Sequence, residues 1–357
     1  MKILYGVQGT GNGHISRARI MAKQFSTMDA DVDYLFSGRP PEKYFDMQVF
    51  GDYRTRTGIS FISANGKVKH LETLRQLKLN QFVQDVKSLD VSSYDLIIND
   101  FEPISAWAAK RQKVPCMSVS HQASFLRPIP SKGMSLVDKA ILRHFAPSDI
   151  QLGVHWYHFG YNIIPPFIEP MAESELLNSS SRRILVYLPF ESLEFVTSIL
   201  TGLSDYEFCC YHPDAEHLEL DNIIFKPLSR ETFKYDLATA KAVIANAGFE
   251  LSSECITYGK QLLLKPLSGQ FEQSSNAHTL ALLGLADVID DLDMDAIESW
   301  LQKSYSGKVR FPSNPQPFAE WILKGEWDNI QPLKDKLWSQ VDFPQAVSDH
   351  LARIKAA

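Results

Sequence analysis

A short apolar run, KILYGV, leads into GTGNGHISRARI, in which Gly9, Gly11 and Gly13 are followed directly by His14. A turn so poor in side chains lets a large ligand approach the backbone and leaves His14 at the N-terminus of a helix. The positive end of the helix dipole disfavours a further positive charge there, so the imidazole is suited to take a proton from a reacting hydroxyl. Two commoner uses of a glycine-rich turn do not fit. A dinucleotide fingerprint needs G-x-G-x-x-G and an acid at the end of the second strand. Here His14 stands where the third glycine belongs, and the second strand ends in Ser37-Gly38. A Walker loop needs Gly-Lys-Ser/Thr after its glycines, and none follows.

A second cluster lies in VIANAGFELSSECITYGKQLLLKPLSGQFEQSSNAH, residues 243–278. Asn246, Ala247, Gly248 and Phe249 close a strand and open a helix, whose unpaired N–H groups suit a phosphate. Glu254, one and a half turns on, is positioned to accept hydrogen bonds from ribose hydroxyls. Gln270, Glu272, Gln273 and Asn276 offer polar groups to a sugar just before the next helix. His121 and Gln122, in SVSHQASF, end another strand and are acceptor-site candidates.

These groups meet only if strand ends are brought together. Short apolar runs at 2–7, 32–36, 94–99 and 115–120 predict buried strands. Helical spacing of Leu71, Leu74, Phe82, Val83, Val86 and Leu89, and a second helix after Pro103, predict connections over the sheet faces. The pattern breaks in PPFIEPMAESELLNSSSRR, 165–183, and restarts at ILVYL. Strands at 206–211, 222–225, 242–245, 261–265 and 287–289 then alternate with helices ending at Gly259 and Gly284. The expected fold class is therefore α/β, with two doubly wound Rossmann-like domains facing a central cleft. The divisions are an N-terminal domain at 1–165, a linker at 166–182, a second domain at 183–328, and C-terminal helices at 329–357 that pack back on the first domain.

At 357 residues the chain exceeds the roughly 250–300 at which one core stops growing. Its 45% hydrophobic and 22% charged residues are those of a globular protein. Cys116, Cys209, Cys210 and Cys255 lack metal-type spacing and read as reduced, buried thiols. The net charge of -6 is unevenly shared, +6 over residues 1–150 and -12 over the remainder. The basic half, with Lys67, Lys69, Arg75, Lys78, Lys132, Lys139 and Arg143, suits peripheral contact with an anionic membrane surface. Overall acidity without interleaved aromatics argues against nucleic acid. No run approaches the roughly 18–20 apolar residues of a membrane span, and MKILYGV is too short for a signal peptide. A cytoplasmic location is expected, membrane-associated only at the inner face.

Taken together, the residues resemble the nucleotide-sugar glycosyltransferases of the GT-B fold, particularly the peptidoglycan N-acetylglucosaminyltransferase and UDP-glucuronosyltransferase-like branches. In that family a strand-end Gly is followed six residues later by Glu, then by Gly, Pro and D/E-Q-x-x-N-A. The counterparts are Gly248, Glu254, Gly259, Pro266 and Glu272-Gln273-Ser274-Ser275-Asn276-Ala277. GTGNGH resembles the family's glycine-rich turn ending in histidine, and INDFEP with AAKRQKVPCMSVSHQ resembles its strand-end Asp, helix and next strand.

The resemblance implies inverting, metal-independent transfer from a nucleoside-diphosphate sugar, with UDP the family's commonest carrier, to an acceptor hydroxyl. No cofactor is required, and a saccharide, lipid-linked or small-molecule acceptor would serve. By the same resemblance His14 is the base, Asp100 orients it, the Gly248 helix holds the diphosphate, Glu254 the ribose, and Glu272 with Gln273 the sugar. Gly9, Gly11, Gly13, Glu102, His121 and Gln122 then form the acceptor side or cleft. Two departures stand out: VYLPFESLE at 186–194, where the family often has Gly and Ser, and Ser16-Arg17, where it often has proline. The same donor site also suits a nucleotide-sugar 2-epimerase or a non-catalytic nucleotide-sugar-binding protein. Asp-x-Asp pairs at 29–33 and 291–295 read as strand and helix starts, and His155, His158 and His212 as core or cleft-lining groups, so no metal site is expected.

Overall fold

A computed structural model describes residues 1–59, 78–171, 182–303 and 307–356, with two short paired strands at 63–64 and 67–68. Lys69, Arg75 and the expected helical positions Leu71 and Leu74 lie outside the described residues, as does 172–181 of the expected linker. The first sheet contains β1 (Lys2–Gln8), β2 (Asp31–Ser37), β3 (Arg54–Arg56), β4 (Leu96–Asp100), β5 (Cys116–Ser120), β6 (Ile150–Val154) and β7 (Ile163–Ile164). Its order is β3-β2-β1-β4-β5-β6-β7, with every pairing parallel. The connecting helices are α1 (Asn12–Phe25), α2 (Leu79–Ser88), α3 (Pro103–Gln112), α4 (His121–Ser124) and α5 (Leu136–His144). Every residue of β4 and β5 is buried, as strands covered on both faces must be.

The second sheet contains β8 (Arg183–Tyr187), β9 (Glu207–Tyr211), β10 (Leu218–Leu220), β11 (Ile223–Lys226), β12 (Ala242–Ala245), β13 (Gln261–Leu264) and β14 (Asp287–Val288). Its order is β10-β11-β9-β8-β12-β13-β14, and only the β10–β11 pairing is antiparallel. Helices α6 (Leu193–Leu200), α7 (Arg230–Thr239), α8 (Phe249–Thr257), α9 (Phe271–Leu282) and α10 (Met294–Leu301) complete this domain. Ser192, Ser229 and Asp293 cap α6, α7 and α10 by accepting a backbone N–H. Gly259 and Gly284 follow helix ends at φ +70°, where a Cβ would be strained. The two sheets thus form two α/β domains, as expected.

β3, β6, β7 and β10 have no counterpart among the expected strands. β3 is the half-buried polar tripeptide RTR, and β7 has two residues, too few for any period to register. Past residue 329 lie the two expected helices, α12 (Gln331–Trp338) and α13 (Gln345–Ala356), preceded by α11 (Gln316–Lys324). This tail crosses back to the first domain: Trp338 donates its indole N–H to the Ile163 carbonyl at 2.8 Å, and Phe318 stacks on Phe167. A buried apolar cluster runs through both sheets, from Ile3 and Tyr5 through Trp156 to Phe249 and Phe318. Trp156 is fully buried and donates to Ser253 Oγ of the other domain at 2.8 Å. Truncating it would cost about 3–5 kcal/mol.

In each sheet the winding direction reverses beside the first strand, between β1 and β4 and between β8 and β12. Pairing of Val7 with Asp100 sets the glycine-rich turn beside Asp100, and pairing of Tyr187 with Ala245 sets 188–190 beside 246–248. Such switch points are where open α/β sheets bind ligands.

Candidate active site

Between the two switch points lies a cavity of about 630 Å³, walled by both domains and within the size range of a small-molecule site. On the first domain's wall, His14 is the third residue of α1, and its Nδ1 lies 2.8 Å from Asp100 Oδ1. Asp100 is fully buried while His14 keeps 15% of its side chain exposed. The nitrogen left for the cavity is therefore Nε2. Arg17, one turn later on the same face of α1, donates through Nε to Asp100 Oδ2 at 2.9 Å and through a terminal nitrogen to Oδ1 at 2.8 Å. Burial works against a charge on Asp100, but Arg17 and then His14 outweigh it and hold its pKa below the ordinary value.

The second domain supplies the opposite wall through Asn246, Gly248, Phe249, Glu250 and Glu254. Gly248 leads into α8, and a Cβ there would meet nothing within 4 Å, so the helix mouth is open. Burial, and then Glu250, raise the Glu254 carboxyl to about 7; Arg230 and Lys234 act in the other direction. At the rim, Glu169, in the segment between the two domains, pairs with Lys23, with Arg230 at 3.0 Å and with Lys234 at 3.5 Å. Pro189 and Phe190 stand on the wall where glycine and serine would have offered backbone contacts, while Glu191 turns to Lys265 at 2.6 Å.

Of the remaining expected residues, Gln270, Glu272 and Gln273 line the cavity with Gly11, Gly13, His121 and Gln122. Gln122 donates to Glu272 Oε2 at 2.9 Å, and His121 lies stacked on Phe249 with ring centroids 3.9 Å apart. His121 is buried, with Nδ1 on the Val154 carbonyl and Nε2 on the Asn276 amide, and burial lowers its pKa; it joins the domains.

Several residues sit elsewhere than expected. Asn276 and Ala247 are buried and do not line the cavity; the Asn276 amide donates to the Ala247 carbonyl at 3.0 Å. Glu102 does not line it either. Phe101, at φ 55°, turns the chain between Asp100 and Glu102, whose carboxylate accepts from Ile104 N, Ser105 N and Ser37 Oγ and so caps α3. Gly9 makes room for Tyr44, since a Cβ would lie 2.2 Å from its hydroxyl oxygen. Gly13 makes room for a protein group too: a Cβ would lie 2.8 Å from Glu250 Cγ.

Arg17, Glu250, Glu169 and Arg230 were not among the expected site residues. Only Arg17 carries a local signal, its spacing of three from His14 on a helix. His155 and His212 are buried apart from one another in local hydrogen bonds, and among the described residues no group of three or more His, Cys, Asp or Glu is placed to hold a metal ion. Among them, too, no helix is long and apolar enough to cross a membrane.

Comparison with known proteins bears on the fold and the family. The family model described as glycosyl transferase family 1 matches residues 1–304. An uncharacterized glycosyltransferase of Methanosarcina acetivorans is 28% identical over 154 residues, which span 41% of this chain and 39% of that relative. Among solved structures, the glycotransferase of kitacinnamycin superposes with a TM-score of 0.55 at 14% identity, over 96% of this chain and 99% of that one. The calicheamicin glycosyltransferase gives 0.53 at 13% identity, over 100% and 98%. MurG of Acinetobacter baumannii gives 0.55 at 13%, over 91% and 100%. The chain belongs to glycosyl transferase family 1 and has the GT-B fold.

Proposed function

We propose that the protein transfers a sugar from a nucleoside-diphosphate sugar, with uridine as the base, to an acceptor hydroxyl, inverting the anomeric centre without a metal ion. The observation that carries this reading is one cavity with the His14–Asp100 pair on one wall and the mouth of α8 with Glu254 on the other. His14 Nε2 takes the proton of the acceptor hydroxyl as its oxygen attacks the anomeric carbon from the face opposite the leaving group. The bond from that carbon to the diphosphate oxygen breaks, and its electron pair leaves with the nucleoside diphosphate. Asp100 stabilises the imidazolium so formed, and the first N–H groups of α8 meet the charge growing on the diphosphate. Glu254 holds the ribose hydroxyls, and Gln270, Glu272 and Gln273 hold the transferred sugar.

The first domain brings the acceptor. Its exposed Leu136 and Val137, beside exposed Lys132, Lys139 and Arg143, form the surface proposed for an anionic membrane, which fits a lipid-linked acceptor. A thermal-shift panel of nucleoside diphosphates and their sugars tests the donor. A ligand at about 100 times its Kd stabilises by about 2.7 kcal/mol. Uridine compounds are expected to raise the melting temperature, and no shift with any nucleotide would overturn the reading.

A further inference from the structure

We propose that Arg17 and Glu250 form a closure pair across the cleft, in which Arg17 is a positioning residue that keeps Asp100 and His14 in reactive geometry while the donor domain is seated. This rests on the transfer reading above. The two residues are 233 positions apart, yet the Arg17 guanidinium donates directly to Glu250 Oε1, and their side chains keep only 10% and 13% exposure. The seat is built for this contact. Gly13 removes the Cβ that would strike Glu250, and the preceding residue Phe249 stacks on His121, so the first turn of α8 is held between α1 and α4.

The fork of Arg17 explains the coupling. Its Nε and one terminal nitrogen occupy both oxygens of Asp100, the other terminal nitrogen reaches Glu250, and the first terminal nitrogen also lies 3.2 Å from His14 Nδ1. Asp100 Oδ1 meets both Arg17 and His14, one on each lone pair, so Glu250, Arg17, Asp100 and His14 form one network. While the domains are closed, Glu250 holds the free end of the guanidinium and fixes the fork on Asp100. When the domains part, that anchor is lost, and Asp100 and His14 are held less firmly. A lysine, with one nitrogen, could not span the three groups.

Glu250→Gln and Arg17→Gln test this, with two independent readouts. X-ray scattering of the unliganded protein should show a larger radius of gyration for both variants than for the wild type. In transfer kinetics, Glu250→Gln should lower kcat about tenfold, the loss of one charged hydrogen bond, with KM little changed. The acid limb of the kcat/KM profile should move to higher pH in Arg17→Gln, which removes a cation beside His14, and to lower pH in Glu250→Gln, which removes an anion. The titratable and charged groups facing this point are Arg17, Asp100, Glu250 and the buried Tyr5, with His121 and Glu254 beyond them. A merely structural role would lower activity in both variants without opposite displacements. Wild-type scattering in Glu250→Gln, or an unmoved profile in both variants, would overturn the proposal. If the wild type transfers no sugar, the transfer reading fails by itself, and unchanged scattering in Glu250→Gln then overturns the closure pair as well while an opened cleft supports it.

Discussion

Replacing Glu254 by Gln separates what this carboxylate costs the fold from what it holds. The side chain lines the cavity and is partly buried, and burial with the nearby Glu250 raises its pKa from 4.5 to about 7. The folded chain keeps this proton up to about pH 7, whereas the unfolded chain releases it near the ordinary value. Between those limits the native state binds more protons, so the stability this group contributes below the unfolded value is lost as pH rises through the folded one. The difference, at about 1.4 kcal/mol per unit, has a ceiling of about 3.5 kcal/mol, and partial exposure to cavity water brings it to about 2 kcal/mol.

Gln carries no charge, so the variant should exceed the wild type in stability by about 2 kcal/mol at pH 8 and by a few tenths at pH 5. In a domain of this size that is a rise of about 4–8 °C in melting temperature, read by calorimetry at the two pH values. The same variant should lose uridine diphosphate affinity by about ten- to a hundredfold, because an amide replaces a charged acceptor of the ribose hydroxyls. Equal stability differences at both pH values, or undiminished nucleotide affinity, would refute the reasoning.

Asp100→Asn should keep the fold and nucleotide binding but lower kcat by at least about a hundredfold, since the amide no longer stabilises the imidazolium; steady-state kinetics beside a thermal melt check it. Replacing both Leu136 and Val137 by Gln should weaken sedimentation with vesicles rich in anionic lipid, and adding salt should weaken the wild type's binding as well.

The sheets were largely legible because a strand covered on both faces must be a short apolar run, as in LIIND and AVIA, and because each run is bounded by a helix with its own period. β3 and β7 escaped this reading since an edge strand of three residues and a strand of two impose no pattern. His14 was legible from the turn before it, and Glu254 with Glu272, singled out by the family resemblance, line the same cavity. The pairing of Arg17 with Glu250 was not, because no local period links residues in different domains. Gly13 illustrates the limit. Three glycines in a turn signal close approach, but whether a ligand, Tyr44 or Glu250 fills the space depends on what the fold brings there. Glu102 is a similar case, a carboxylate at a strand end that serves a helix cap because Phe101 turns the chain away from the cavity.

The central claim is that His14 is the base for inverting sugar transfer. Proton NMR of the sugar released when the protein slowly hydrolyses an α-linked uridine-diphosphate sugar tests it most directly. The wild type should release the β anomer first, and His14→Ala should bind uridine diphosphate about as tightly while releasing sugar at least a hundredfold more slowly, the low end of a general base's contribution of about 10²–10⁴. Initial release of the α anomer, or undiminished turnover by His14→Ala, would contradict it.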